Sequence, residues 1–265
     1  MDRVEVNHMH ICNSTMNEML QYTETVIAQK QQTFAVFVEA NLLGNSLNNP
    51  MLQQLIDRSD MACPDGTVTA LAASFRSGKR VQRITGPAFM LKACEYGQKL
   101  NWKHYFYGGQ PGVAEKLVER LKAAYPQMQV AGIYSPPFRK CKAGEPFMAM
   151  TAEEITAEAE MINAAQADLV WVGLGGPKQE YWINTFLHKI NAPLLLGVGA
   201  AFDFHSGNRP WAPVWIRKIG MEWLYRMLSG GWSTFKRNLK CTSLTGMFLL
   251  MYFIKYRILR RPDNR

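Results

Sequence analysis

The stretch Asp168-Leu-Val-Trp-Val172-Gly-Leu-Gly-Gly-Pro-Lys-Gln-Glu180 decides the fold of this chain. It opens as an apolar, β-rich run, is broken by three glycines and a proline, and continues into the helical pattern Tyr181–Ile190. A second apolar run, Pro193-Leu-Leu-Leu-Gly-Val198, follows at once. Strand, glycine turn, helix and strand in succession are the unit of a parallel sheet, whose neighbouring strands need a crossover between them.

The pattern repeats outward. Thr33-Phe-Ala-Val-Phe-Val38, His104-Tyr-Phe-Tyr107 and Val130-Ala-Gly-Ile-Tyr134 read as further strands, and Val113–Tyr125 and Thr151–Ala165 as amphipathic helices, the latter with Glu153 and Glu154 near its start. Alternating elements of this kind predict a mainly parallel sheet covered by helices on both faces, a single Rossmann-like α/β domain. Ligands of such sheets bind at the carboxyl ends of the strands, in the loops that lead into helices.

Length and charge sharpen this picture. The chain has 265 residues, 48% of them apolar, which suits a folded globular protein. Its 30 basic and 21 acidic side chains give a net charge of +9, unevenly placed. Twelve of the basic residues but only Glu222 and Asp263 of the acidic ones fall in residues 209–265, so that segment carries +10 and residues 1–208 carry −1. The division expected is therefore an α/β domain over 1–208 and a basic, amphipathic helical appendage over 209–265.

Several classes are excluded. Cys12, Cys63, Cys94, Cys141 and Cys241 form no C-x-x-C pair, which fits neither a disulfide framework nor a zinc site and suits a reducing cytosol. The N-terminus has no basic segment followed by an apolar run, so no secretory signal is expected. The longest apolar stretch, Met247–Ile254, is far short of the roughly 20 residues that span a bilayer. The expectation is a soluble or peripheral protein.

Strand ends carry the unusual residues. In Met61-Ala-Cys-Pro-Asp-Gly-Thr67, Asp65 is either a turn residue, with Asp65 or Thr67 capping the next helix, or a carboxylate at the mouth of the sheet that serves as a general base. Tyr107-Gly-Gly-Gln-Pro-Gly112 brings Gly108 and Gly109 to a helix start, where backbone N–H groups approach a phosphate; a bare turn is the plainer alternative. The segment is not G-x-G-x-x-G and has no acidic partner about 20 residues on, as a nicotinamide site needs. Lys178, Gln179 and Glu180 at the next glycine turn point towards the cleft, unless Glu180 only complements the helix dipole and Lys178 is solvated. Asp203 and His205 are too few to hold a metal, and Asp203 reads best as a brace for its glycine loop. His8 and His10 read as surface residues. The chain has no D-x-D triplet of the kind that holds a divalent ion against a diphosphate.

Taken in order, these segments resemble the WecG/TagA/CpsF family of bacterial glycosyltransferases. The residues that carry the resemblance are Asn41, Pro64-Asp65-Gly66, Arg83-Ile-Thr-Gly86, Tyr107-Gly-Gly with Pro111-Gly112, Gly173-x-Gly with Pro177-Lys-Gln-Glu180, Gly197-x-Gly with Phe202-Asp203, and Gly220-Met-Glu-Trp-Leu-Tyr-Arg226. They run over residues 30–237. The resemblance implies an inverting transferase, and the missing D-x-D triplet adds the expectation that it works without a metal or other cofactor. It moves a sugar of glucose or N-acetylmannosamine type from a UDP-sugar to a polyprenyl-diphosphate-linked saccharide, at the cytoplasmic face of the plasma membrane. The product belongs to a cell-surface polysaccharide: exopolysaccharide, capsule or a teichoic-acid-like polymer.

By the same resemblance Asp65 is the base, Arg83 and Gln179 line the pocket, and Arg226 and Arg237 of the appendage meet the donor diphosphate. Glu39, Asn41, Gly86, Gly108, Gly109, Lys178, Glu180 and Asp203 complete the expected binding set. Some positions depart from the family's pattern. Glu39 stands where Thr is usual, the acid that commonly follows the R-x-x-G turn is missing, Trp211-Ala-Pro213 replaces R-A-P, and Ser229–Arg237 replaces the usual E-P-x-R segment.

Inverting transfer needs a base for the acceptor hydroxyl and positive charge for the leaving diphosphate. Glycine-rich helix starts and arginines supply the second, since arginine grips phosphate bidentately. In the appendage, aromatic and aliphatic residues interleave with cations, which suits an interfacial helix on anionic lipid; an ordinary packing helix is the plainer reading. Two other functions stay open on the residues alone: an NAD-dependent nucleotide-sugar oxidoreductase or epimerase, and a nucleic-acid-binding protein using the basic tail. Neither carries its usual signature, and nucleic acid is not an expected partner. Self-association is left open.

Overall fold

The computed structural model describes residues 1–139, 150–229 and 243–259. The chain starts with an antiparallel hairpin, β1 (Arg3–Val6) and β2 (Met9–Cys12), followed by α1 (Met16–Gln29), which opens on a capping box between Thr15 and Glu18. Then come β3 (Thr33–Phe37), α2 (Ala40–Ser46), α3 (Pro50–Asp57), β4 (Met61–Cys63), α4 (Thr67–Ser77) and α5 (Gly86–Gly97). The second half runs β5 (Lys103–Gly108), α6 (Val113–Ala124), β6 (Gln129–Tyr134), α7 (Ala152–Ala164), β7 (Leu169–Gly173), α8 (Lys178–Phe186), β8 (Leu194–Gly197) and α9 (Ala201–Ser206).

Strands β3 to β8 form one six-stranded sheet in the order β4-β3-β8-β7-β5-β6, and every pairing in it is parallel. The period of two along each strand divides the apolar side chains between two cores. On β7, Val170 and Val172 face one core and Leu169 and Trp171 the other. The first core takes in the hairpin, α2, α3, α7 and α8; the second takes in α1, α5, α6 and α9. Trp182 of α8 lies fully buried between Tyr107 and Phe186, with ring centroids 4.4 Å from each.

The connections from β5 and β7 leave in opposite directions. From β5 the chain goes through α6 to the edge strand β6, and from β7 it goes through α8 to β8, so the two helices lie on opposite faces. A crevice opens where such loops part, at the carboxyl ends of the strands. The backbones meet closely there: a Cβ on Gly108, which has φ +120°, would stand 2.8 Å from the carbonyl carbon of Gly173. Only glycine allows both that conformation and that approach.

Beyond α9 the described parts of the appendage are α10 (Val214–Lys218), α11 (Glu222–Ser229) and a helix over 243–253, α12, that ends in a π-helical turn at Ile254–Ile258. The inner side of α12 is packed on the domain. Phe248 and Thr245 are buried, the Tyr252 hydroxyl accepts from the backbone N–H of Asn7 at 2.7 Å, and Phe253 meets Phe75 edge-on at 5.3 Å. Its outer side exposes Met247, Leu250 and Met251. Among the described residues, no helix is long and apolar enough to cross a membrane.

The sequence-predicted strands and crossover helices all appear, with ends displaced by a few residues. Helix α8 spans Lys178–Phe186 in place of Tyr181–Ile190, so the Lys-Gln-Glu cluster is the first turn of the helix and not the loop before it. The N-terminal hairpin, α1, α2, α3 and α5 had no counterpart among the expected elements.

Candidate active site

Asp65 lies in the loop between β4 and α4, at the floor of a cleft of about 460 Å³ over the carboxyl ends of the strands. It does not cap α4, and neither does Thr67: the N-cap is Gly66, without a side-chain bond. Instead its Oδ2 accepts from the N–H of Gly86 at 3.1 Å, the first residue of α5. Thr67 turns its hydroxyl to the carbonyl of Gly220 at 2.8 Å and so ties the appendage to the domain. Burial pushes the Asp65 carboxyl up to about 7; the Gly86 bond and nearby Arg83 act against this, and the charges of Glu222 and Glu39 add to it.

Three more carboxyl groups line the same cleft: Glu39, Glu180 and Glu222, with Lys178 the one cation among its described lining residues. Glu39 is the N-cap of α2, and its carboxylate accepts from the N–H groups of Asn41 at 2.9 Å and Leu42 at 3.1 Å. Asn41 lines the cleft beside it. Gln179 is almost wholly held by the protein: its amide nitrogen donates to Gly197 O at 2.8 Å and Glu180 Oε1 at 2.9 Å, and its Oε1 accepts from Gly175 N at 3.2 Å. Gln179 therefore braces the glycine turn against the end of β8 while presenting part of its surface to the cleft. Glu180 has no solvent exposure and burial raises its carboxyl to about 7, so it is far more than a dipole-complementing surface residue.

A second hollow, of about 570 Å³, sits at the parting of the β5 and β7 loops. Gly109, Gly173, Asp203 and three cations, Arg139, Lys178 and Arg209, line it. It shares Leu174, Lys178 and Gly199 with the first cleft, so the two are lobes of one site, one rich in carboxyls and one in cations. Lys178 donates to the carbonyl of Arg139 at 3.3 Å and stands 5.0 Å from the Phe138 ring centroid. Asp203 braces the turn after α9, not the glycine loop before it: its carboxylate accepts from Asn208 Nδ2 at 2.8 Å and lies 3.5 Å from Arg209 Nε. A larger hollow between the hairpin and α12, about 840 Å³, lies away from these groups.

The appendage meets the cleft through Arg83 and Glu222. Arg83 Nη2 donates to the carbonyl of Arg217 at 2.9 Å and is 3.9 Å from Glu222 Oε2, while Glu222 Oε1 accepts from Trp211 Nε1 at 3.2 Å. Arg217 in turn lies over the Trp211 ring, 3.6 Å from its centroid. Arg83 thus clasps the appendage at the cleft's edge and is absent from the described cleft lining. Gly86 acts through its N–H on Asp65, whereas Gly109 contributes to the cation-rich lobe and Gly108 to the strand contact beneath it. Arg226 lies on α11, and only its backbone is described; Arg237 lies outside the described residues.

A family model described as the glycosyl transferase WecG/TagA/CpsF family matches residues 4–262. The chain belongs to this family. Membership replaces the oxidoreductase and nucleic-acid readings that the residues alone left open. Relatives include a protein of Bacillus spizizenii, 27% identical over 226 residues and covering 84% of this chain and 82% of the relative. One of Bacillus subtilis is 24% identical over 228 residues, 86% of this chain and 84% of its own length, and one of Staphylococcus aureus is 24% identical over 85% and 84%. All three are named N-acetylglucosaminyldiphosphoundecaprenol N-acetyl-β-D-mannosaminyltransferase.

Within this glycosyl transferase, Arg139, Arg209 and Glu222 line the candidate site, and the sequence reading proposed none of them as binding residues. Glu222 had a signal: it is one of two acids in a strongly basic segment and stands inside the quoted E-W-L-Y-R run. Arg139 and Arg209 had none, because each reaches the site from a loop whose course only the fold fixes.

The two raised carboxyls make stability depend on pH. In an unfolded chain both groups titrate near 4, as free carboxyls do. Their folded values near 7 mean that the native state keeps its protons while the unfolded chain releases them, so stability is complete below about pH 4 and is lost as pH rises to about 7. Asp65→Asn and Glu180→Gln are expected to raise the melting temperature at about pH 8 and to leave it nearly unchanged at about pH 4. Equal shifts at both pH values in thermal denaturation contradict the raised values.

Proposed function

We propose that this glycosyl transferase moves an N-acetylhexosamine or hexose from a UDP-sugar to a polyprenyl-diphosphate-linked saccharide, with inversion at the anomeric carbon. The observation that carries the reading is the division of one cleft into a carboxyl lobe around Asp65 and a cation lobe around Arg139, Lys178 and Arg209. A diphosphate belongs in the second lobe, where backbone N–H groups at glycine turns and positive side chains offset its charge. A reacting sugar, uncharged and rich in hydroxyls, belongs in the first. The names of the three relatives supply the acceptor class and the undecaprenyl carrier.

In the proposed step, the acceptor hydroxyl oxygen forms a bond to the anomeric carbon as that carbon's bond to the diphosphate oxygen breaks. Asp65 takes the hydroxyl proton and UDP departs with the bonding electron pair. A base with a pKa near 7 is matched to this task at neutral pH, since it is substantially ionised yet still basic. Positive charge for the departing UDP comes from the cation lobe together with Arg226 and Arg237 of the appendage, and the transfer is proposed to need neither metal nor cofactor. Asp203 holds Arg209 beside that lobe.

The appendage is proposed to seat the enzyme on the inner face of the plasma membrane. Trp215 and Ile219 near α10, and Met247 and Leu250 of α12, are more than half exposed, and they lie among Arg217, Lys218, Lys255 and Arg257. Apolar groups set among cations suit an anionic bilayer, where each basic residue near the surface contributes about 1 kcal/mol. Cell-surface polysaccharide assembly is the process such a position serves.

Two experiments test the reading. Wild-type protein given a lipid-diphosphate-N-acetylglucosamine acceptor and UDP-N-acetylmannosamine is expected to release UDP, and Asp65→Asn to lose about 10²–10⁴-fold in turnover while still binding UDP. Wild-type-like turnover in that variant removes Asp65 as the base. In vesicle sedimentation, a chain truncated after residue 240 is expected to lose binding to phosphatidylglycerol vesicles at low salt; unchanged binding contradicts the membrane role of α12.

A further inference from the structure

One polar atom in the cleft is left over. Glu180 Oε2 is buried and has no hydrogen-bond partner among the described residues, although the rest of its side chain is held in place. Its other oxygen, Oε1, accepts from Gln179 Nε2 at 2.9 Å, and that amide is fixed in turn by Gly197. Oε2 lies beside the turn that borders the cleft: Glu180 and Gly176 both line that cleft, and a Cβ on Gly176 would stand 3.4 Å from Oε2. A buried carboxyl oxygen without a partner is costly, and such a group calls for a partner from outside the chain, a water or a ligand.

The protonation state of this oxygen follows from its surroundings. Glu39 faces the same space and takes two backbone N–H donors, from Asn41 and Leu42. Glu180 is fully buried and feels the Glu39 charge, and these favour its neutral form, outweighing the single Gln179 amide donor, which favours the anion. Because the amide N–H occupies Oε1, the proton sits on Oε2, making it a donor. The remaining charged groups that line the cleft are Asp65 and Glu222, whose charges act in the same sense, and Lys178, which is drawn away to the Arg139 carbonyl.

We infer that Glu180 is a specificity-determining residue, a neutral carboxyl whose Oε2–H donates to the carbonyl oxygen of a sugar's acetamido group. A carbonyl oxygen only accepts hydrogen bonds, so it pairs with a fixed donor in a way that a rotatable hydroxyl, donor and acceptor both, does not need. The inference rests on the proposed transfer reaction and deepens it. Either the transferred sugar or the acceptor's terminal sugar can carry the group, and the two arms of the test distinguish them.

The test compares kcat/KM for UDP-N-acetylmannosamine against UDP-mannose with one acceptor, and for lipid-diphosphate-N-acetylglucosamine against its glucose counterpart with one donor. The measured quantity is a ratio within one preparation, so it does not depend on the fraction of protein that folds. In one arm the wild type is expected to favour the acetamido sugar by about tenfold or more at about pH 6, and to lose that preference towards about pH 8.5 as Glu180 ionises. E180Q, whose amide N–H₂ replaces the Oε2–H donor, is expected to keep the preference at both pH values. E180A is expected to bring the ratio down about tenfold. An unchanged ratio for E180A in both arms overturns the inference while leaving the transfer reaction standing. A wild type that transfers none of these sugars contradicts the transfer reaction itself, and the role of Glu180 falls with it.

Discussion

Two carboxyl groups held largely out of water, Asp65 and Glu180, set the terms for everything around the cleft. Among the described residues each carboxyl accepts from one other residue, Asp65 from the Gly86 N–H and Glu180 from the Gln179 amide, and each faces further carboxyls. Desolvation of this kind is unfavourable for folding and becomes more so as pH rises. The surrounding structure is built to hold them nonetheless. Helix α5 begins where Asp65 needs a donor, the Gly175–Gly176 turn leaves room beside Glu180, and the two dense cores of the sheet supply the stability that the cleft lacks. Carboxyls strained electrostatically, on a scaffold that is not, are the arrangement expected of a site where a base works near neutral pH, the role proposed for Asp65.

The opposite sign of charge is kept a short way off. Lys178 belongs to both lobes, and Arg139 and Arg209 to the second only, so a ligand that spans the site passes from carboxyls to cations along its length. A sugar joined to a diphosphate has that same polarity. The appendage closes the carboxyl end: Glu222 enters the cleft while Arg83, Thr67 and Trp211 hold it there. Since the Glu222 charge is one of those that raise Asp65, docking of the appendage and the strength of the base are linked through a single side chain.

Much of this was legible before the fold was seen, and the reasons differ by element. Parallel strands buried on both faces read as plain apolar runs, so β3, β5, β6, β7 and β8 stood out, and the amphipathic pattern with Glu153 and Glu154 near its start marked α7. Helices α2, α3 and α5 are short or lack a sharp apolar period, and the β1–β2 hairpin has four-residue strands, so their sequences carried no signal above that of loop. At the site, sequence identified Asp65, Glu39, Gln179 and Glu180 but not what they touch. Arg83 illustrates the limit: the resemblance put it in the pocket lining, whereas its guanidinium lies against the Arg217 carbonyl and Glu222, residues more than a hundred positions away. The plain alternative for Asp65, a cap on α4, failed because the start of α5, beyond α4 in the chain, offers the carboxyl the Gly86 N–H instead.

The central claim is that the base of this glycosyl transferase is a carboxyl whose burial among other carboxyls raises it to about 7. The pH dependence of kcat/KM for sugar transfer reports the ionisation of the free enzyme's base. The account predicts an ascending limb with a midpoint near 7 that moves to lower pH in Glu222→Gln, since that substitution removes one of the charges opposing ionisation. A limb centred near 4, the ordinary range of an exposed carboxyl, or one that does not respond to Glu222→Gln, contradicts it.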